Sequence, residues 1–277
     1  MRLRKLASLL CRRFSRVLGG LVLNDVRLVE RAGDPRARKR RRWYAPLLIR
    51  GGRLYVRLAR ARVFALPERP WQAREIRLYR ALYGETAFVD DGRWLDVPRR
   101  GEALSLFLQR PDVSSAAARR ALVSATAELF RLHAVVVRDG PETRPFSHGD
   151  AGARNVAYDA ASGGSHWFDF EMIHPPGLPQ IWRQADDVRA LFFSALALVP
   201  VPERAETATV LVTAYPDADV LAALQVRLAG DALDFDTYHL AQVRLGVDEH
   251  EALRLLLLRV LAEKPVPGRN EGSSWPP

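Results

Sequence analysis

The chain is poor in the residues that staple or metallate a fold. One cysteine, Cys11, in 277 residues excludes an internal disulfide framework and a multi-cysteine zinc site, and makes a reducing compartment the default. Six histidines are present; His133, His166, His174, His239 and His250 lack metal-ligand spacing and read as core or surface residues. Long hydrophobic runs are missing too. Leu191 to Val201 and Leu253 to Leu261 fall short of the roughly 18 to 20 apolar residues that a membrane-spanning helix needs. Lysine is nearly absent, with Lys5, Lys39 and Lys264 beside 39 arginines. No internal repeat is visible. What remains is a folding composition, 48% hydrophobic and 27% charged, with room for two lobes or one large domain.

The net charge of +10 is polarised. Residues 1–62 hold 19 basic against 3 acidic residues, and the remainder 23 basic against 29 acidic. Crowding at one end implies an anionic partner for that end, such as phosphates, nucleic acid or lipid; coding bias explains arginine over lysine, not the crowding. Within residues 1–24, Leu3, Leu6, Leu10, Phe14, Val17 and Leu21 recur at helical spacing. Arg12, Arg13 and Arg16 interrupt any secretory apolar core. Such a basic amphipathic helix fits an anionic membrane surface or the protein's own body, and both readings stand.

Strand-like patterning follows. Val26 to Glu30 reads as a strand, residues 31–42 as a loop ending in a charge run, and Trp43 to Ile49 and Leu54 to Leu58 as strands joined by a Gly51-Gly52 hairpin. Trp71 to Tyr83 reads as a helix between Pro70 and Gly84. Short strands are expected at Ala87 to Val89 and Arg93 to Val97. A long helix opens at Ser115 and runs to about Val136. A loop-rich segment covers Pro145 to Pro176, and helices are expected over 181–198, 204–214, 218–228 and 235–261. The tail from Pro265 reads as frayed.

The most informative stretch is Phe146-Ser-His148-Gly149-Asp150-Ala-Gly-Ala-Arg154-Asn155, then an apolar run, a Gly163-Gly164 turn, and a second run ending in Asp169-Phe170-Glu171. Phosphoryl transfer asks for a carboxylate at the acceptor hydroxyl and oxygen ligands that hold Mg²⁺ on nucleotide phosphates. A loop can supply the first and a following hairpin the second.

These motifs, with the preceding helix ending in Arg131-Leu132-His133-Ala134, resemble the kinase-like phosphotransferase superfamily over residues 25–200. The nearest likeness is to aminoglycoside phosphotransferases and lipopolysaccharide core-sugar kinases. Gly152 where protein kinases carry lysine, and Asp-Phe-Glu in place of Asp-Phe-Gly, both point to that branch. The resemblance implies an α+β, bilobal, protein-kinase-like fold: a small antiparallel-sheet N-lobe with one helix over 25–100 and a larger mainly helical C-lobe over 101–264, flanked by the basic helix over 1–24 and the flexible tail over 265–277 that the residue pattern predicts. It implies ATP and Mg²⁺ as cofactors, Asp150 as catalytic base, and Asn155 and Asp169 as metal ligands. Asp187 would brace the catalytic loop, and residues 97–106 would form the interlobe hinge.

The family's strand lysine, which grips nucleotide phosphates and pairs with a helix glutamate, has no counterpart between Lys39 and Lys264. Arg57, with Arg60 as fallback, is expected to substitute, paired with Glu75; arginine changes reach and donor geometry. The glycine-rich loop is expected around Gly33, where backbone amides can cradle phosphate. The implied activity is transfer of the γ-phosphate to a hydroxyl of a sugar or glycolipid acceptor. The expected location is cytoplasmic, membrane-associated and peripheral on the inner face. A pseudokinase-type nucleotide-binding scaffold and a protein-kinase-like enzyme are the alternatives. Nucleic acid ranks below these as a partner, because only Trp43 and Tyr44 supply aromatics beside the basic run.

Overall fold

A computed structural model of the chain describes residues 23–263, apart from 32, 59–62, 91, 140–141, 176 and 231–245. The helix expected over 1–24, except its last two residues, therefore lies outside the described residues, as do Arg60 and the tail from 265.

The fold is mixed α+β, with several small antiparallel sheets among helices. Strands β1 (Asn24–Arg31) and β2 (Asp34–Arg41) form a tight hairpin, with Arg31 opposite Asp34 and Gly33 in the left-handed region at φ 79°. Glycine takes that conformation without a Cβ clash. Strands β4 (Phe88–Asp90) and β5 (Trp94–Pro98) complete a four-stranded sheet in the order β1-β2-β5-β4.

Two sequence readings are corrected here. The charge run is strand β2, not a loop. The run shows no apolar alternation because its buried side chains are cations, Lys39 and Arg41 on one face of the strand and Arg36 on the other. Buried cations persist only when paired, and each has a carboxylate partner supplied from elsewhere in the chain. Residues 45–58 are one helix, α1 (Ala45–Leu58), not two strands and a hairpin. Ala45 and Ile49, one turn apart, are buried, so helical spacing outweighs the Gly-Gly pair.

Helix α2 (Glu68–Tyr83) follows the two-residue strand β3 (Phe64–Ala65) and ends on Gly84 in the αL conformation. It turns Trp71, Glu75, Leu78, Tyr79 and Leu82 inward. After β6 (Glu102–Ala103) and the short helix α3 (Leu104–Phe107), the long helix α4 (Ser115–His133) begins with Ser114 capping the Ala117 amide. Strands β7 (Val136–Asp139) and β8 (Glu142–Pro145) form a two-stranded ribbon. β9 (Val156–Asp159) and β10 (Gly164–Trp167) form the expected hairpin, which β6 extends to three strands; β11 (Met172–Ile173) pairs with β3. Helices α5 (Gln180–Leu198), α6 (Arg204–Ala214), α7 (Ala218–Ala229) and α8 (Val247–Glu263) complete the chain.

One apolar core runs from Trp71 and Tyr79 of α2 through Leu122, Leu129 and Leu132 of α4 to Leu191, Phe192 and Leu196 of α5, and on to Leu257 of α8. Each such side chain contributes about 1.5–3 kcal/mol when fully buried. The expectation of membrane association is corrected: among the described residues, no helix is long and apolar enough to cross a membrane. The nineteen-residue α5 carries Arg183, Asp186, Asp187 and Arg189, and these charges are buried within the protein.

Candidate functional site

The site is built where β2, α2 and the two loops flanking β9 and β10 meet. From the sheet side, Lys39 Nζ donates to Glu75 Oε1 at 3.3 Å and to Asp169 Oδ1 at 3.0 Å. Glu75 sits at mid-helix in α2, fully buried, and its Oε1 also accepts from the Trp71 indole at 3.2 Å and from the Phe170 amide at 3.1 Å. Burial works against the charge on Lys39, but Asp169 and Glu75 outweigh it and push its pKa up. Asp169 moves down: burial opposes ionisation, and Lys39 more than compensates. Burial raises Glu75, against the pull of Lys39. The result is a cation fixed between two carboxylates, with Asp169 the more readily ionised of the two.

From the loop side, His148 to Asn155 is pinned by one buried carboxylate. Asp187, on α5, accepts from the amides of His148 at 2.6 Å and Gly149 at 2.8 Å, and lies 3.2 Å from His133 Nε2. Burial opposes its charge, but His174 and His133 beside it lower its pKa. The bracing role expected of Asp187 thus has direct geometric support. His148 accepts the Asp150 amide on Nδ1 at 3.3 Å, and its Nε2 lies 2.9 Å from the Phe168 carbonyl. An acceptor role on one nitrogen and a carbonyl at the other define the neutral Nε2–H tautomer. Burial, which lowers the His148 pKa despite Asp187, favours the same form. Gly149 adopts φ 85°, and a Cβ there would stand 2.8 Å from the Met172 carbonyl oxygen. The Gly in His-Gly-Asp is therefore required by close backbone approach.

These contacts bring the three expected residues into one locality. Asn155 Nδ2 donates to the Asp150 carbonyl at 2.8 Å, and the Asn155 carbonyl accepts the Phe168 amide at 2.9 Å, immediately before Asp169. Asp150 and Asp169 feel each other's charge. Asp150 is buried, and Arg154, half-exposed, reaches its Oδ2 at 2.9 Å. Asp169 takes φ 67°, the one described non-glycine residue in the left-handed region. Strain of that kind persists only where surroundings impose it.

Among the described residues, no group of three or more His, Cys, Asp or Glu side chains forms a metal cluster. The donor set nevertheless fits Mg²⁺ of the kind that is held by one or two protein oxygens plus substrate phosphates. Asn155 spends its Nδ2 on a carbonyl and keeps Oδ1 for a ligand, and Asp169 is an ionised carboxylate beside it.

Arg57 is not where it was expected. It lies in helix α1 rather than in a strand, and the cation on Glu75 is Lys39 of β2. Sequence reasoning passed over Lys39 because it sat inside an arginine run read as a loop. The available signal was a single lysine in a run of arginines, one of only three lysines in the chain. It also passed over Arg74, whose guanidinium donates to the carbonyls of Phe170, Met172 and Ser147 and ties the Asp169 segment to the loop side. No family model matches the chain, and no curated protein matches it.

Proposed function

We propose that the protein is an ATP- and Mg²⁺-dependent phosphotransferase of bilobal, kinase-like architecture, acting in the cytoplasm on a hydroxyl of a sugar or glycolipid acceptor. The observation that carries this reading is the Lys39–Glu75–Asp169 cluster lying against the loop of Asp150 and Asn155. In this reading the sheet around β2 forms the smaller lobe and the helices from α4 onward the larger.

Lys39 would hold the nucleotide's phosphates, with Glu75 fixing its reach. Asn155 Oδ1 and the Asp169 carboxylate would hold Mg²⁺, which neutralises phosphate charge during transfer. Asp150 would take the acceptor's proton as its oxygen forms the new P–O bond and the bond to the ADP oxygen breaks. Arg154, paired with the Asp150 carboxylate, would add a further positive charge near the transferring group. Phosphoryl transfer needs little more than positioning and charge of this kind. The scaffold reading drew on the missing lysine; Lys39 in contact with Glu75 favours the active enzyme instead.

The test is Asp150→Asn in an assay that follows ATP consumption against a panel of sugar and glycolipid acceptors. Transfer is expected to fall by about a thousandfold, with Mg²⁺-dependent binding of a non-hydrolysable ATP analogue retained. Full transfer by the variant, or no nucleotide binding by the unaltered protein, rejects the proposal.

A further inference from the structure

Two rungs of β2 face the Asp169 segment. Lys39 grips Asp169, and two residues on, Arg41 Nη1 grips Glu171 Oε2 at 2.7 Å. Residues i and i+2 of a strand share a face, so two cations at that spacing meet two carboxylates at the same spacing. The second pair is built in from several sides. Asn24 of β1 donates to Glu171 Oε2 at 2.7 Å and accepts from Arg41 Nη1 at 3.0 Å. Arg41 Nη2 donates to the Leu66 carbonyl at 2.9 Å, its guanidinium lies over the Trp71 ring at 4.5 Å, and the Leu66 amide donates to the Glu171 carbonyl at 2.9 Å. Arg41 and Glu171 are both buried.

We propose that Arg41 and Glu171 form a built-in latch that holds Asp169 in its metal-binding position, so that the site is assembled without a covalent modification. In regulated kinases, a segment of this kind is ordered when an added phosphate pairs with arginine. Here the Glu171 carboxyl, part of the chain itself, takes the place of that added group and pairs with an arginine on the same strand as the phosphate-binding lysine. The left-handed backbone of Asp169 is the conformation the latch has to hold. Glu171 and Arg41 act through Asp169 and are positioning residues. The proposal rests on the phosphotransferase reading for what Asp169 does, and on geometry alone for what holds it.

The test compares the full chain with Glu171→Gln, near-isosteric but uncharged, and with Glu171→Ala. Hydrogen exchange is read at Leu66 and residues 169–173, with the amides of α4 as the reference, and the Mg²⁺ requirement is read from binding of a non-hydrolysable ATP analogue. The latch predicts at least tenfold faster exchange in that segment for both variants, with α4 unchanged. It also predicts a tenfold higher Mg²⁺ half-saturation, with metal-free nucleotide affinity kept. Unchanged exchange, or equal acceleration in α4, overturns the latch. Local acceleration with an unchanged Mg²⁺ requirement overturns the positioning of Asp169. If the unaltered protein binds no Mg²⁺-nucleotide, the phosphotransferase reading fails, and exchange alone still decides whether the pair orders the segment.

Discussion

The two sides of the site are held by different physics. On the sheet side, cations are paired directly with carboxyl groups: Lys39 between Glu75 and Asp169, Arg41 on Glu171, and Arg36 on Asp96. On the loop side, a single carboxylate, Asp187, is satisfied chiefly by backbone amides and a histidine ring. Buried ion pairs are costly to assemble and costlier to break singly, whereas amides around a carboxylate impose a loop shape. The sheet side thus concentrates charge, and the loop side fixes backbone shape.

Breaking the sheet side by half gives the largest effect expected. Lys39→Met leaves Glu75 and Asp169 facing each other in a buried setting, and removing one partner of such a cluster costs about 3–5 kcal/mol. Denaturant melts should show this loss directly, and it should shrink on acidification, because a protonated Glu75 relieves the repulsion. A loss below about 1 kcal/mol would mean that the sheet side is not held by charge.

Asp187→Asn probes the loop side. The amide can accept one of the two backbone N–H groups but presents its own N–H to the other, so one buried donor loses its partner. The expected cost is about 2–3 kcal/mol, smaller than for Lys39→Met. Because the Asp187 pKa is lowered in the fold, this cost fades only as pH falls below the unfolded value of roughly 4, whereas the Lys39→Met loss fades at higher pH, where the raised Glu75 takes up its proton. Melts of the two variants across pH 4–7 would sharpen the contrast; parallel profiles would erase it.

How legible each side was follows from the same difference. The loop side is written locally: His148, Gly149, Asp150 and Asn155 lie within eight residues, and the β9–β10 hairpin returns the chain to Asp169 at a turn marked by Gly163-Gly164. The likeness named from that stretch, and the role of Asp187, came from residues that sit close in sequence or follow the motif directly. The sheet side is written at long range. Arg41 and Glu171 are separated by 130 positions, and Lys39 and Glu75 by 36, so a strand whose buried face is cationic looks like a solvated charge run until its acids are found. The same blindness misplaced the cation paired with Glu75 on Arg57, because a Gly-Gly pair inside α1 imitates a hairpin turn and β-branched and aromatic residues follow it. Long helices with clean periodicity, α4 and α5, were legible to within a few residues.

A third kind of holding lies at the seam between the two sides, where His166 of β10 stacks on Tyr83 of α2 at 3.6 Å between centroids. Burial, with smaller repulsions from Arg100 and Arg131, lowers its pKa from the usual 6.5 to about 4. The unfolded chain takes up this proton near 6.5 and the folded one only near 4, so the unfolded state binds more protons in that window. Stability should therefore fall as pH drops from about 6.5 toward 4, by up to about 3 kcal/mol from this group. His166→Gln should flatten the acid limb of a stability–pH curve by about that amount. An unchanged limb would show that the histidine is freely protonated in the folded protein.

The smallest effect calibrates the others. Ser114 lies away from both sides, and its hydroxyl accepts the Ala117 amide at the start of α4 at 3.2 Å. Ser114→Ala removes one exposed cap and should cost about 1 kcal/mol, with nucleotide affinity and Mg²⁺ requirement unchanged. Because α4 carries Leu122, Leu129 and Leu132 into the common core, that loss should appear as a uniform shift of a single cooperative melt. If Ser114→Ala instead altered Mg²⁺-dependent nucleotide binding as strongly as Glu171→Gln, the effects assigned to the sheet-side charges would be general consequences of lower stability, and the distinction between the two sides would lose its meaning.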